Sequence, residues 1–222
     1  MENDLEIENL IKNISNIKLN KEEDYNSSAI IIQKNIRKFL SNKRLICKKD
    51  NMNIEIIEIL LDNYIKTFYL IKNINKSLSK KKIRNQNFPS EISENIVKFV
   101  LCKKYKVMPS WDTNEGDLII LNKKIEVKGF MSTGPLSFGP SEKWSLLYFV
   151  NAIDFQNKNF KIYEVKLSNN NTLWSNIKIN KDQTYKDQCN QGRRPRLSFD
   201  ILQKQMKDYC KLIFDGNIKD LY

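Results

Sequence analysis

The sequence predicts an α+β domain preceded by a helical region, and three observations lead there. Apolar residues recur at helical spacing up to about Leu101, period-two runs rich in Ile, Val, Leu, Phe and Tyr follow Pro109, and a helical pattern returns near the end. With 222 residues, 41% of them hydrophobic, the chain can build one sizeable core with an appendage.

The first helix is expected from Asp4 to about Lys18 through Leu5, Ile7, Leu10, Ile11, Ile14 and Ile17. Ser27 or Ser28 can cap a second, whose apolar face holds Ile30, Ile31, Ile36, Phe39 and Leu40 and whose other face is strongly basic. A third runs from about Asn53 to Ile74. A basic linker, Lys76 to Arg84, closes the N-terminal helical region, residues 1–80; residues 81–222 form the second domain. Pro89 opens the next helix, which buries Ile92, Ile96, Val97, Val100 and Leu101.

Strands are expected over 117–121, 124–129, 145–153 and 160–167, with turns at Asn122-Lys123 and Gln156 to Asn159. The glycines and prolines of 131–140 predict an irregular, shaped loop, and the last helix is expected from about Ser198 to Asp215. Trp111, Trp144 and Trp174 are expected in the core.

Composition narrows the chemistry. Lys and Arg number 38 against 26 Asp and Glu, a net charge of +12 that favours an anionic partner, nucleic acid foremost. There is no histidine, which excludes Ser-His-Asp triads and imidazole bases and leaves carboxylates, lysines and a hard metal ion. Cys47, Cys102, Cys189 and Cys210 form no CxxC pair, so neither a zinc ribbon nor a disulfide framework is expected. No apolar run nears the roughly 20 residues that span a bilayer, and the acidic start is unlike a signal peptide, so a soluble intracellular protein with no membrane partner is expected.

In the run from Gly116 to Lys128, two strands joined by a tight turn bring Asp117 towards Glu126, and strand alternation puts Glu126 and Lys128 on one face with Val127 turned away. Two carboxylates and an amine suit phosphodiester hydrolysis: the carboxylates, with the Val127 carbonyl, can hold one or two Mg²⁺ ions, and Lys128 can orient a water and stabilise developing charge. Two other readings stand beside this one. The three residues could form a solvated sheet edge, and Asp154 with Glu164 and Lys166 repeats the pattern at similar spacing.

The Asp117…Glu126-x-Lys128 signature resembles the PD-(D/E)xK nucleases, with Gly116 where the motif has proline. The resemblance covers about Phe88 to Met206 and implies a restriction-endonuclease-like core, a mixed sheet flanked by helices. The helix holding Glu91 and Glu94 resembles one that adds a carboxylate in many members, which makes Glu94 a further candidate. Met108 to Asp112, the 134–140 loop and Trp144 are similar to type II restriction endonuclease-like proteins, some of large DNA viruses, which would place such a chain in an infected cell. The resemblance implies a Mg²⁺-dependent endodeoxyribonuclease, with Mn²⁺ able to replace the metal, that acts on double-stranded DNA as a homodimer. A junction or repair nuclease of the same fold is the alternative enzyme; a non-catalytic DNA-binding or calmodulin-binding adaptor is the alternative of another class.

Arg193, Arg194 and Arg196 lie on a stretch that Gly192 and Pro195 keep out of a helix, and guanidinium forks suit phosphates and guanine edges. Lys143, Ser137, Gln183 and Lys186, with Ser132 and Gln188, are further polar candidates for DNA contact. Ile32-Gln33-Lys-Asn-Ile-Arg37 resembles part of an IQ motif, the helix gripped by calmodulin-like proteins, but Lys38 and Asn42 replace its later positions.

Overall fold

A computed structural model of the chain describes residues 54–78, 82–112 and 116–221. The helices expected over 4–18 and from Ser27, the IQ-like segment and Cys47 lie outside those residues. The described elements belong to the unit Met52–Tyr222.

Helix α1 (Ile54–Ser77) buries Ile54, Ile57, Leu61, Tyr64 and Ile71, a stripe at steps of three, four and seven residues. Expected in the N-terminal region, it shares one core with α2 (Ser90–Tyr105) and the sheet. Pro89 stands just before α2 in an extended conformation, as a proline at a helix start should, and Lys106 ends the helix in the left-handed region.

The strands are β1 (Ser110–Trp111), β2 (Leu118–Ile120), β3 (Lys123–Phe130), β4 (Leu136–Ser137), β5 (Leu146–Asn151), β6 (Asn159–Val165), β7 (Arg196–Leu197) and β8 (Cys210–Asn217). Six of them form one sheet in the order β1-β2-β3-β5-β6-β8, and β4 pairs with β7 in a separate two-stranded ladder. Among the described residues only β3 and β5 run parallel. A parallel pair needs a long crossover, and residues 131–145 supply it. The architecture is a mixed sheet flanked by helices, as the sequence predicts.

Strand alternation sorts side chains into two cores. Ile125, Val127, Leu146, Tyr148, Val150, Phe160 and Ile162 face α1 and α2. Phe130, Leu147, Phe149 and Val165 face the other way, against Phe138, Trp144, Trp174, Tyr185 and Phe199. Short helices α3 (Thr172–Asn176), α4 (Tyr185–Asn190) and α5 (Phe199–Gln205) cover this second face.

Several expectations are corrected. The last helix ends at Gln205, and Leu212, Ile213 and Phe214 instead belong to β8, which pairs with β6 across a register shift at Ile162/Tyr163. Their apolar run fits helix or strand equally, and the open edge of β6 decides it. The loop 131–140 is not wholly irregular, since it holds β4. The β2–β3 turn is Leu121-Asn122, both at positive φ, which a two-residue hairpin requires. Trp144 and Trp174 are buried as expected, whereas Trp111 is 42% exposed, with the Lys98 ammonium 4.6 Å from its ring centre.

Candidate active site

The β2–β3 hairpin pairs Leu118 with Ile125, and just before Leu118 the Asp117 N–H donates to the Ile125 carbonyl at 3.0 Å, which holds Asp117 against the Ile125–Val127 stretch of β3. There the ladder ends, and the Asp117 carboxylate takes over from the backbone: its Oδ2 accepts the Val127 N–H at 2.7 Å. Within a strand the N–H and C=O of one residue face the same edge, so the Val127 carbonyl is turned to the Asp117 side. Lys128 Nζ donates to Glu126 Oε1, and the ammonium lies 5.6 Å from the Phe138 ring centre.

Helix α2 closes on this hairpin at Gly129. A Cβ there would meet Ser93 at 2.8 Å and Phe88 at 3.1 Å, so only glycine allows the approach. That approach brings Glu94, one residue past Ser93, within electrostatic reach of Asp117 and Lys128.

Burial governs the acidities. Glu126, 4% exposed, is pushed up to about 7 by desolvation, with Lys128 opposing and Asp117 and Glu142 adding. Glu94 reaches about 7 through burial, then Asp117 and Glu91. Asp117 is raised by burial despite the Val127 N–H and Lys128. For Lys128, burial pulls downwards, but Glu126, Glu142 and Asp117 outweigh it and hold the ammonium above its ordinary value.

Acidic side chains that resist ionising beside one another would be relieved by a cation. Among the described residues no three acidic or cysteine side chains converge as ready ligands. A hard cation of the Mg²⁺ type needs no such set, because it keeps several waters and takes one or two carboxylates plus phosphate oxygens. Asp117 and Glu126 offer two hard oxygen donors, and the donor set fits.

Glu142, which sequence reasoning missed, also reaches the cluster: its Oε2 is 3.2 Å from Lys128 Nζ and its Oε1 3.7 Å from an Arg194 guanidinium nitrogen. No motif marks it; only the path of the 131–145 crossover brings it there. The same path gathers the arginine stretch. Ser137 pairs with Arg196 in the β4–β7 ladder, and the Phe138 N–H donates to the Pro195 carbonyl at 3.0 Å. Gln183 contacts Gln191 at 3.4 Å, and the Arg193 N–H donates to the Gln188 carbonyl at 3.0 Å, so α4 braces the stretch. Arg193, Arg194, Arg196, Lys143 and Lys186 are exposed.

The rival trio is not brought together. Asp154 sits at the β5–β6 turn and accepts from Asn157 at 2.6 Å and Asn159 at 2.7 Å. Glu164, near the other end of β6, pairs with Tyr148 and so faces the first core, where the Tyr148 hydroxyl and Lys104 donate to it. Lys166 is 3.8 Å from Glu164. Burial opposes the Glu164 charge, yet its hydrogen bonds from Lys104 and Tyr148 prevail and hold it below the ordinary carboxylate value.

Over 138 residues the chain is 29% identical to the type II restriction enzyme Bsp6I of Bacillus sp. (strain RFL6), a match covering 62% of this chain and 76% of that protein. No solved structure matches. A family model described as Bsp6I restriction endonuclease matches residues 56–206, a span that takes in all but the first two residues of α1, the Glu94 helix, the Asp117–Lys128 hairpin and the arginine stretch. The chain is therefore a member of the Bsp6I restriction endonuclease family.

Proposed function

We propose that the protein is a Mg²⁺-dependent endodeoxyribonuclease that cuts double-stranded DNA at specific sequences, in the manner of a type II restriction enzyme. One observation carries this reading: within the family match, the Asp117 carboxylate accepts the Val127 N–H next to Glu126, and Lys128 donates to Glu126.

Asp117, Glu126 and the Val127 carbonyl would hold the cation. When bound, it polarises a phosphoryl oxygen and lowers the pKa of an attached water. Lys128, kept protonated by its acidic neighbours, places a positive charge where the pentavalent phosphorus gathers negative charge. Glu94 adds an acidic oxygen from the α2 side. Arg193, Arg194 and Arg196, with Lys143, Ser137, Gln183 and Lys186 nearby, hold the duplex through phosphates and base edges. One site cuts one strand, so a two-fold dimer would cut both.

The test incubates the full chain and Asp117→Ala with plasmid DNA in Mg²⁺, in Mn²⁺ and in EDTA. Discrete fragments from the parent alone, lost in EDTA, are expected; sequencing their ends reads the site, and sedimentation of the DNA complex reads the stoichiometry. Cutting that persists in EDTA, or in Asp117→Ala, overturns the mechanism. Cutting restricted to branched DNA would favour the junction nuclease.

A further inference from the structure

Glu142 stands on the connection between β4 and β5, and no step proposed above uses it. Its placement is nevertheless built. Its carbonyl accepts from Asn169 Nδ2 at 2.6 Å, and Asn169 Oδ1 in turn accepts the Trp144 N–H at 3.3 Å. A Cβ at position 139 would come within 2.8 Å of the Glu142 carboxylate, so Gly139 leaves the room in which that carboxylate sits. The side chain is only 19% exposed.

From that position the carboxylate touches two cations with different tasks. Lys128 Nζ is 3.2 Å from Oε2 and 3.3 Å from Oε1, and Arg194 is 3.7 Å from Oε1. Lys128's other anchor, Glu126, is also a candidate metal ligand, and an oxygen committed to a cation is a weaker partner for an ammonium. Glu142 then becomes the anchor that still aims Lys128. Arg194 belongs to the exposed stretch that the β4–β7 ladder fastens to the same loop.

We infer that Glu142 is a positioning residue: it holds Lys128 on the reacting phosphate and ties that lysine, through Arg194, to the DNA-contacting arginine stretch. The inference rests on the nuclease reading above. It makes DNA engagement and lysine placement one linked event, and it separates Glu142 from residues that merely bind DNA.

The experiment measures two quantities on Glu142→Gln, Glu142→Asp, Arg194→Ala and the Glu142→Gln/Arg194→Ala pair. One is the Kd for a cognate duplex without metal; the other is the single-turnover cutting rate of saturated complex in Mg²⁺. Thermal midpoints control for folding. Glu142→Gln is expected to cut about 10- to 100-fold more slowly, the scale of a misplaced catalytic group, while binding DNA no more weakly than the parent. Glu142→Asp should recover part of the rate. Arg194→Ala should slow cutting in the parent background and add little to Glu142→Gln, a non-additive cycle. The inference is overturned if Glu142→Gln cuts at the parental rate, if its slower cutting is matched by weaker binding or a lowered midpoint, or if the two substitutions multiply. A parent that binds DNA but never cuts it overturns the nuclease reading, and the positioning role falls with it.

Discussion

Replacing Glu126 by Gln should stabilise the metal-free protein, and the gain should depend on pH. The folded-state pKa is raised from 4.5 to about 7. A carboxyl raised in this way contributes stability that is fully present below pH 4.5 and is lost as pH rises through 7. At about 1.4 kcal/mol per pH unit, the loss by pH 8 amounts to about 3 kcal/mol. The side chain is 4% exposed, so solvent screening takes little from that figure. Gln keeps the shape and cannot ionise, and Lys128 retains Glu142 at 3.2 Å. Urea denaturation in EDTA should therefore show parent and variant close together at pH 5, with the variant ahead by up to about 3 kcal/mol at pH 8. Mg²⁺ should raise the parent's midpoint at pH 8 and leave the variant's nearly unmoved, because a ligand stabilises only the state that binds it. Equal stabilities at pH 8, or the same gap at both pH values, would refute the reasoning.

Three further outcomes are expected. Gly129→Ala forces a methyl against Ser93 and Phe88; it should cost about 1–3 kcal/mol as overpacking and slow cutting by moving Glu94, which denaturation and rate measurements on one preparation can check. Tyr148→Phe removes a donor to buried Glu164 and should cost about 1–3 kcal/mol while the cutting rate stays parental; a collapse of that rate would return the Asp154 set to consideration. Arg194→Ala and Arg196→Ala should each lower the slope of log K against log salt by about 1, the signature of one lost phosphate contact, and unchanged slopes would remove both residues from the duplex interface.

The hairpin's geometry was legible because its information is local. Period-two alternation fixes the faces of Glu126 and Lys128, and a short turn, whichever residue begins it, brings Asp117 back beside this stretch, where its carboxylate accepts the Val127 N–H. Glu94 became a candidate only through the resemblance of its helix, and its reach to Asp117 depends on the close approach at Gly129. Glu142 was not legible: its approach to Lys128 depends on the pairing of Ser137 with Arg196, residues far apart in the chain, and on the space at Gly139. Nor could spacing reject Asp154 and Glu164, since only the β5–β6 register shows one at the turn and the other facing the opposite core. Leu212 to Phe214 read as helix because a short apolar run has no decisive period, and the vacant edge that claims it belongs to a strand some fifty residues earlier, with Tyr163 opposite Leu212.

The two-stranded ladder of β4 and β7 has an evolutionary corollary. Ser137 pairs with Arg196 and Glu142 lies 3.7 Å from Arg194, so if the two segments read bases as proposed, a change in one could not be inherited without accommodating the other. Relatives with altered target sites should differ in both segments together. Grafting the arginine stretch alone between two such enzymes should yield chimeras that bind the new site but cut it poorly, and transplanting both segments as a single cassette should restore turnover.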